Sequence, residues 1–112
     1  MATDRKLNSE IEGVVPLADL VQHQSGAVIS RTIIKKSTGT VTAFAFDAGE
    51  GLSEHTAAFD ALIIGVEGEA TITIAGDPFQ LSAGHVLRLP AGKPHSLAAT
   101  SRFKMLLVMI RE

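Results

Sequence analysis

Frequent turn-forming residues divide this chain into short apolar segments, which limits it to strands and very short helices. The turns are rich in glycine and proline, as at 49–51, 67–69, 76–78, 83–84 and 90–92. The segments between them show β-branched residues or two-residue alternation and include 26–36, 40–46, 61–66, 70–74, 85–89, 95–99 and 103–110. Short strands with close turns and no long helical period are typical of a β-sandwich or barrel. The sequence therefore predicts an all-β fold.

The sequence supports more specific predictions for three segments. The run 61–66 is apolar at every position, which predicts a strand buried on both faces. The segment Pro16–Val21 is a weak helix candidate, because proline suits a first helical turn. Residues 1–10 are polar, and we expect them to fray.

Composition excludes several classes of function. The chain has 112 residues, the size of a single domain, with a formal net charge of −2 and neither tyrosine nor tryptophan. We therefore expect no binding to nucleic acid. The absence of cysteine excludes disulfides. No apolar run approaches the roughly 20 residues of a membrane span, so we expect no membrane association and, by elimination, a cytoplasmic protein.

Histidines supply the candidate chemistry. His55 follows the glycine turn at 49–51, and His95 follows the proline-rich loop 90–94. Rigid turns would hold both histidines at strand starts, from which they could converge at one end of a barrel. Imidazole is the commonest protein ligand for several transition metals.

The spacing around these histidines resembles the two motifs of the cupin family, in particular a small single-domain, type-2 (RmlC-like) cupin. The first motif is Gly, five residues, His, one residue, His, three or four residues, Glu, six residues, Gly; here Gly49, His55 and Gly68 match. The second is Gly, five residues, Pro, one residue, Gly, two residues, His, three residues, Asn; here the matches are Gly84, Pro90, Gly92 and His95.

The resemblance covers roughly residues 40–110 and implies a double-stranded β-helix (jelly-roll) barrel, with 1–112 forming one cupin domain. It also implies a homodimer, since small cupins commonly pair, and the apolar run 61–66 suits burial against a partner.

The departures from the motifs concern the metal ligands. Metal-binding cupins use two histidines and a glutamate from the first motif and one histidine from the second. Here His55 and His95 remain, while Ala57 and Ala61 occupy the other two ligand positions, and Ala99 replaces the motif asparagine. The possible cofactor is a divalent metal (Zn, Fe, Mn, Ni or Cu) held by His55 and His95.

Two neighbouring carboxylates are candidate substitutes for the missing ligands. Asp60 precedes the glutamate position by one residue, and Glu54 precedes His55. Adjacent residues of a strand point to opposite faces, so only a bulge or a loop would turn either one inward.

Alanines at ligand positions predict a larger and less polar cavity. A barrel of this size can hold one small molecule. The predicted ligand pocket comprises Phe44, Phe46, Ala57, Ala61, Ala99 and Met105.

Three functions compete. The favoured one is a small-molecule-binding barrel with a degenerate metal site. The second is a metal-dependent enzyme of oxygenase or isomerase type, using His55, His95 and a non-standard third ligand. The third is a metal-free acid–base enzyme, in which His55 or His95 is the catalytic residue. The fold alone does not decide among these three functions, because one fold can host many functions.

Overall fold

The structure is a computed structural model that describes residues 11–111, and in this range it contains nine strands. They are β1 Val28–Lys36, β2 Gly39–Phe46, β3 Gly51–Thr56, β4 Asp60–Glu67, β5 Glu69–Ile74, β6 Asp77–Ser82, β7 Val86–Leu89, β8 Pro94–Ala99 and β9 Phe103–Ile110. Across these residues no helix is long and apolar enough to cross a membrane.

The strands form two antiparallel sheets. A five-stranded sheet has the order β1-β2-β9-β4-β7, and a four-stranded sheet has the order β3-β8-β5-β6. Most neighbours within a sheet are not consecutive in the chain, so the chain passes back and forth between the two sheets. This is a double-stranded β-helix barrel, and it confirms the predicted fold class.

The core lies between the sheets and follows the two-residue period of the strands. Its fully buried large side chains are Phe46, Ile72, Phe103 and Met105. The rings of Phe44 and Phe46 stack with centroids 5.8 Å apart. Ala43 and Ala45 point to the opposite face of β2, as the alternation of large and small residues there predicts.

Some elements differ from the prediction. β3 and β6 were not predicted, because glycine and proline obscure the strand pattern around 51 and 78. The helix candidate Pro16–Val21 forms only a three-residue 3-10 turn, Leu17–Asp19. His55 is the penultimate residue of its strand and not at its start. The expected fraying of residues 1–10 lies outside the described residues.

The described residues that precede β1, 11–27, form an N-terminal segment. Part of this segment packs on the outer face of the five-stranded sheet. Leu20 and Val21 are buried there against Ala43 and Ala45. The Nζ of Lys104, a nearly buried side chain of β9, donates a hydrogen bond to the carbonyl oxygen of Ala18 at 2.6 Å. An apolar contact and a buried charged hydrogen bond therefore hold the segment in place.

Glu67 joins this segment to the sheet. Its carboxylate lies 3.5 Å from the Nζ of Lys104 and 3.1 Å from the Nε2 of His23, whose side chain is only 10% exposed. Burial acts to raise the pKa of Glu67, but the hydrogen bond from His23 and the charge of Lys104 outweigh it and lower the pKa. The carboxylate is thus held in its charged form.

Gly68 makes the tight turn from β4 to β5. Its φ is +75°, and a Cβ atom there would lie 1.8 Å from the carbonyl oxygen of Arg102. Any side chain would both strain the backbone and collide with it. This explains the glycine that closes the first motif.

Asp47 ties together three segments at the barrel end away from His55 and His95. Its carboxylate accepts hydrogen bonds from the backbone N–H groups of Gly26 and Ala48 and from the Nε of Arg102 at 3.0 Å. The bond from Gly26, then that from Arg102, lower the pKa of Asp47 to about 2.

We expect Asp47 to contribute acid-dependent stability. Because its folded pKa lies below the ordinary value of 3.8, its contribution is complete above about pH 4 and is lost as the pH falls toward 2. In Asp47→Asn the free energy of unfolding should be lower at pH 7, and the loss between pH 4 and pH 2 should be smaller. Urea unfolding from pH 2 to 7 measures both, with the exposed Asp77→Asn as control. Parallel pH profiles for Asp47→Asn and the wild type would contradict this assignment.

Lys104→Met should destabilise the protein and loosen the N-terminal segment. The variant keeps the apolar stem but removes the donor to Ala18 and the charge beside Glu67. We expect a loss of about 1–2 kcal/mol in urea unfolding and faster proteolysis within residues 11–21. Lys35→Met, at an exposed position of β1, is the matched control. Equal stability and proteolysis for both variants would show that Lys104 does not anchor the segment.

Candidate functional site

A cavity of about 60 Å³ lies between the two sheets, at the barrel end where β3 ends and β8 begins. Its walls are mostly aliphatic, and His55, His95 and Ser96 are the polar residues among those that line it. Roughly 10–15 Å³ is enough for a water molecule. The cavity therefore admits a few water-sized groups, or the apolar end of a small molecule.

Antiparallel pairing of β3 and β8 brings the two histidines together. His55 and His95 are direct cross-strand partners, forty residues apart in the chain. The loop before β8 is fastened to the end of β3, because the N–H of Gly92 donates to the carbonyl oxygen of Ala57 at 2.8 Å. The end of one strand thereby meets the start of the other, and both side chains reach the cavity.

Backbone carbonyls orient both imidazole rings. The Nδ1 of His55 lies 2.8 Å from the carbonyl oxygen of Ser53, and the Nδ1 of His95 lies 3.1 Å from that of Lys93. A carbonyl oxygen only accepts hydrogen bonds, so each Nδ1 carries a proton. When the ring is neutral, a proton on Nδ1 leaves Nε2 unprotonated, with a lone pair that can accept a hydrogen bond or bind a metal.

The two Nε2 atoms face each other at 3.1 Å. The rings are nearly perpendicular, with centroids 4.4 Å apart. Two lone pairs at this distance repel unless a proton, a hydrogen-bond donor or a cation lies with them. His95 is almost buried and His55 is exposed, so the pair lies between the cavity and solvent, where a ligand could reach both Nε2 atoms.

Ala57 and Ala61 line the same cavity as the histidines. The four motif positions that carry metal ligands in metal-binding cupins therefore do converge, but two of them present methyl groups. Ala99, at the motif asparagine, is buried in the core and is not part of the cavity wall.

Neither candidate substitute carboxylate reaches the cavity. Asp60 is 60% exposed, accepts a hydrogen bond from the N–H of Ala91 at 2.8 Å, and lies 3.9 Å from the guanidinium of Arg88. Glu54 is exposed and is not among the lining residues. Asp60 instead fixes the loop that precedes His95.

The residues present fit half of a metal site. Ligands bonded at about 2.0–2.1 Å to one ion, at tetrahedral or octahedral angles, lie roughly 2.9–3.4 Å apart, and the two Nε2 atoms meet this condition. Metal-bound histidines also commonly donate their other N–H to a carbonyl. Across residues 11–111, however, no three His, Cys, Asp or Glu side chains gather as a metal-binding group. The protein alone therefore supplies an incomplete set of ligands.

The predicted pocket overlaps the observed cavity in part. Ala57, Ala61 and Met105 line it, whereas Phe44, Phe46 and Ala99 pack in the core beyond its wall. The lining residues that the sequence-based set missed are Leu52, Phe59, Ile63, Ile72, Leu89, Ser96, Leu97, Leu107 and Met109. Several of them could have been predicted, because every second residue of a strand lies on the same face. Ile63 follows Ala61 by two residues, and Leu107 and Met109 follow Met105 by two and four.

Phe59 forms the wall between the cavity and the outer rim of the barrel. It lines the cavity and also a second pocket, which includes Asp60 and Ile110. The guanidinium carbon of Arg111 lies 5.3 Å from the centre of its ring, a cation–π distance. Arg111 thus packs on an aromatic ring that forms part of the cavity wall.

Comparison with known proteins agrees with this geometry. The family model described as "Cupin domain" matches residues 43–111, more than half of the chain and including both histidines. The chain belongs to the cupin family. Among curated proteins, none matches this cupin.

Solved bacterial structures share the whole fold. A conserved Streptococcus pyogenes protein of unknown function is 31% identical, with a TM-score of 0.88 over 94% of this cupin and 92% of that chain. A cupin superfamily protein from Desulfitobacterium hafniense is 32% identical, with a TM-score of 0.87 over 94% and 96%. A cupin 2 conserved barrel domain protein from Leptotrichia buccalis is 36% identical, with a TM-score of 0.81 over 85% of this cupin and 46% of that chain.

Restoring the two absent ligands should create a metal site. In Ala57→His/Ala61→Glu, four ligands would surround the convergence point, and we expect about one Ni²⁺ or Co²⁺ retained per chain after desalting. The visible spectrum of the Co²⁺ form and elemental analysis measure this. Ala58→His/Ala61→Glu is the matched control, because Ala58 is exposed and does not line the cavity. Equal retention by both variants would show that position 57 does not face the convergence point.

Proposed function

We propose that this cupin binds a small organic molecule in the barrel cavity, with the His55–His95 pair at its polar end. The observation that carries the proposal is the meeting of the two Nε2 atoms, 3.1 Å apart, with an apolar cavity directly beside them. Their Nδ1 atoms are committed to backbone carbonyls, so the outward nitrogens are the ones available to a ligand.

The cavity restricts the class of ligand. A volume of about 60 Å³ suits a short aliphatic group and excludes a bulky aromatic or sugar ring at full depth. A hydroxyl, an acid proton or another donor on the ligand would satisfy both imidazoles at once. The expected ligand is therefore small and amphipathic, with its polar group directed toward the barrel mouth.

A second candidate is a metal held jointly by the protein and a bound ligand. The 3.1 Å separation of the Nε2 atoms favours it, since that is a separation common for two ligands of one ion. Oxygen or nitrogen atoms of the small molecule, or water, would occupy the positions that Ala57 and Ala61 leave open. Such a centre would supply Lewis-acid chemistry, and a metal-dependent enzyme would then be the function.

Loss of either histidine should weaken ligand binding. Small molecules retained by tag-free protein would be identified by native mass spectrometry and then titrated calorimetrically into the variants. We expect His55→Ala and His95→Ala to weaken affinity at least tenfold, because each removes a polar partner of the ligand at the mouth of the cavity. His85→Ala, in an exposed turn outside the cavity, should bind like the wild type.

Elemental analysis of the same chelator-free preparations separates the two candidates. Near-stoichiometric metal that is lost in His55→Ala/His95→Ala would favour the jointly held metal. Ligand binding in metal-free protein would favour the first proposal, and turnover of that ligand in metal-free protein would identify an acid–base enzyme. Unchanged affinity in both single histidine variants would refute a role for the pair.

A further inference from the structure

The wall of the cavity consists of strand residues except at one place, the connection 57–59 between β3 and β4. This connection contributes Ala57 and Phe59 to the wall. The other lining residues belong to strands, where pairing with a neighbouring strand fixes the direction of each side chain. At 57–59 the shape of the wall therefore depends on the connection and its side chains, and not on strand pairing.

Phe59 is the one bulky apolar residue in its stretch of chain. Positions 57–58 and 61 are alanine. Asp60 is turned toward the loop 90–94, from which its carboxylate accepts a backbone hydrogen bond at 2.8 Å. The ring of Phe59 therefore fills this part of the barrel end, and no other side chain of residues 57–61 could take its place.

Two hydrogen bonds hold the backbone on both sides of Phe59. The N–H of Gly92 donates to the carbonyl oxygen of Ala57, and the N–H of Ala91 donates to the carboxylate of Asp60, both at 2.8 Å. The connection is thus fixed at both ends. The position of the ring consequently depends on rotation about its own side-chain bonds.

The half-buried ring of Phe59 borders two spaces at this end of the barrel. One is the cavity of about 60 Å³, and the other is the second pocket, of about 340 Å³, which is lined by Ala58, Phe59, Asp60, Ala91 and Ile110. Within residues 11–111, Phe59 alone lines both spaces. Asp60 and Ile110 are exposed, so the second pocket is open to solvent. The guanidinium of Arg111, 5.3 Å from the centre of the ring, favours the observed ring position through a cation–π contact.

The volume of the cavity limits the ligands that it can hold. Benzene fits an engineered apolar cavity of about 150 Å³, and the cavity of this cupin, at about 60 Å³, has less than half of that volume. A ligand with a larger apolar part needs additional space. The second pocket offers such space, next to a part of the wall that one side chain forms.

We propose that Phe59 is the specificity-determining residue of this cavity. Its ring keeps the cavity apart from the second pocket and so limits the apolar part of the ligand to a short chain. The inference rests on the small-molecule function proposed above and adds to it the residue that sets ligand length. When the ring is removed, the two spaces join, and a longer chain can run from the histidine pair past position 59 into the second pocket.

Straight-chain primary alcohols, from ethanol to 1-octanol, are the probes that test this proposal on the full chain. Their hydroxyl can donate to the Nε2 atoms, and their length changes by one methylene at a time. Two-dimensional ¹H–¹⁵N NMR titrations report binding through the amide signals of His55 and His95. For the wild type we expect affinity to rise about fourfold per methylene until the cavity is filled, and then to stop rising.

Phe59→Ala should extend this length limit. The rise in affinity should continue over about two further methylenes, a gain of about tenfold for the longer alcohols. These alcohols should then also shift the amide signals of Ala91 and Ile110, which line the second pocket and not the cavity. Phe59→Leu keeps an apolar side chain and should extend the limit by fewer methylenes.

Phe79→Ala is the matched control, because Phe79 is 44% exposed on β6 and does not line the cavity. It should keep the wild-type limit, and the dispersion of the same spectra shows whether each variant is folded. An unchanged limit in both Phe59 variants, with Ala91 and Ile110 unaffected, would overturn this proposal and leave small-molecule binding intact. Alcohols that shift neither histidine signal in any of the proteins would refute the cavity as a binding site, and with it the proposed function.

Discussion

The pairing of β3 with β8 is the contact on which the candidate site depends. It makes His55 and His95 cross-strand partners and places them at the end of the barrel where the cavity opens. Two further hydrogen bonds, from Gly92 to Ala57 and from Ala91 to Asp60, hold the preceding loop against the end of β3. The geometry of the histidine pair is therefore set by backbone contacts.

The site combines retained and lost features of the cupin motifs. The imidazoles keep their orienting carbonyl partners, so their Nε2 atoms remain presented as they would be to an ion. The alanines at 57 and 61 remove the other two ligands and widen the apolar wall. This combination favours a ligand that has both an apolar part and a polar group, and it explains why a small-molecule proposal and a jointly held metal both centre on the same two nitrogens.

The two faces of the five-stranded sheet have different environments. Its inner face forms part of the cavity wall through alternate residues such as Ile63 and Leu107, while its outer face carries Leu62 and Val108. The strand 61–66 was expected to be buried on both faces. Its inner face is buried, but Leu62 on its outer face is 40% exposed, so the expectation holds for the inner face alone.

The sequence by itself determined the all-β class, most of the strands and the positions of the motif residues, because strand periodicity and turn chemistry are local properties. It also determined which side-chain ligands are absent, since the methyl group of alanine cannot bind a metal wherever it lies. Only the tertiary structure decided which residues share the cavity: Phe44 and Phe46 have the same inward orientation as Met105 yet lie beyond the cavity wall. It likewise decided that Asp60 faces the loop and that the two Nε2 atoms meet at 3.1 Å, because strand pairing and loop closure join residues far apart in the chain.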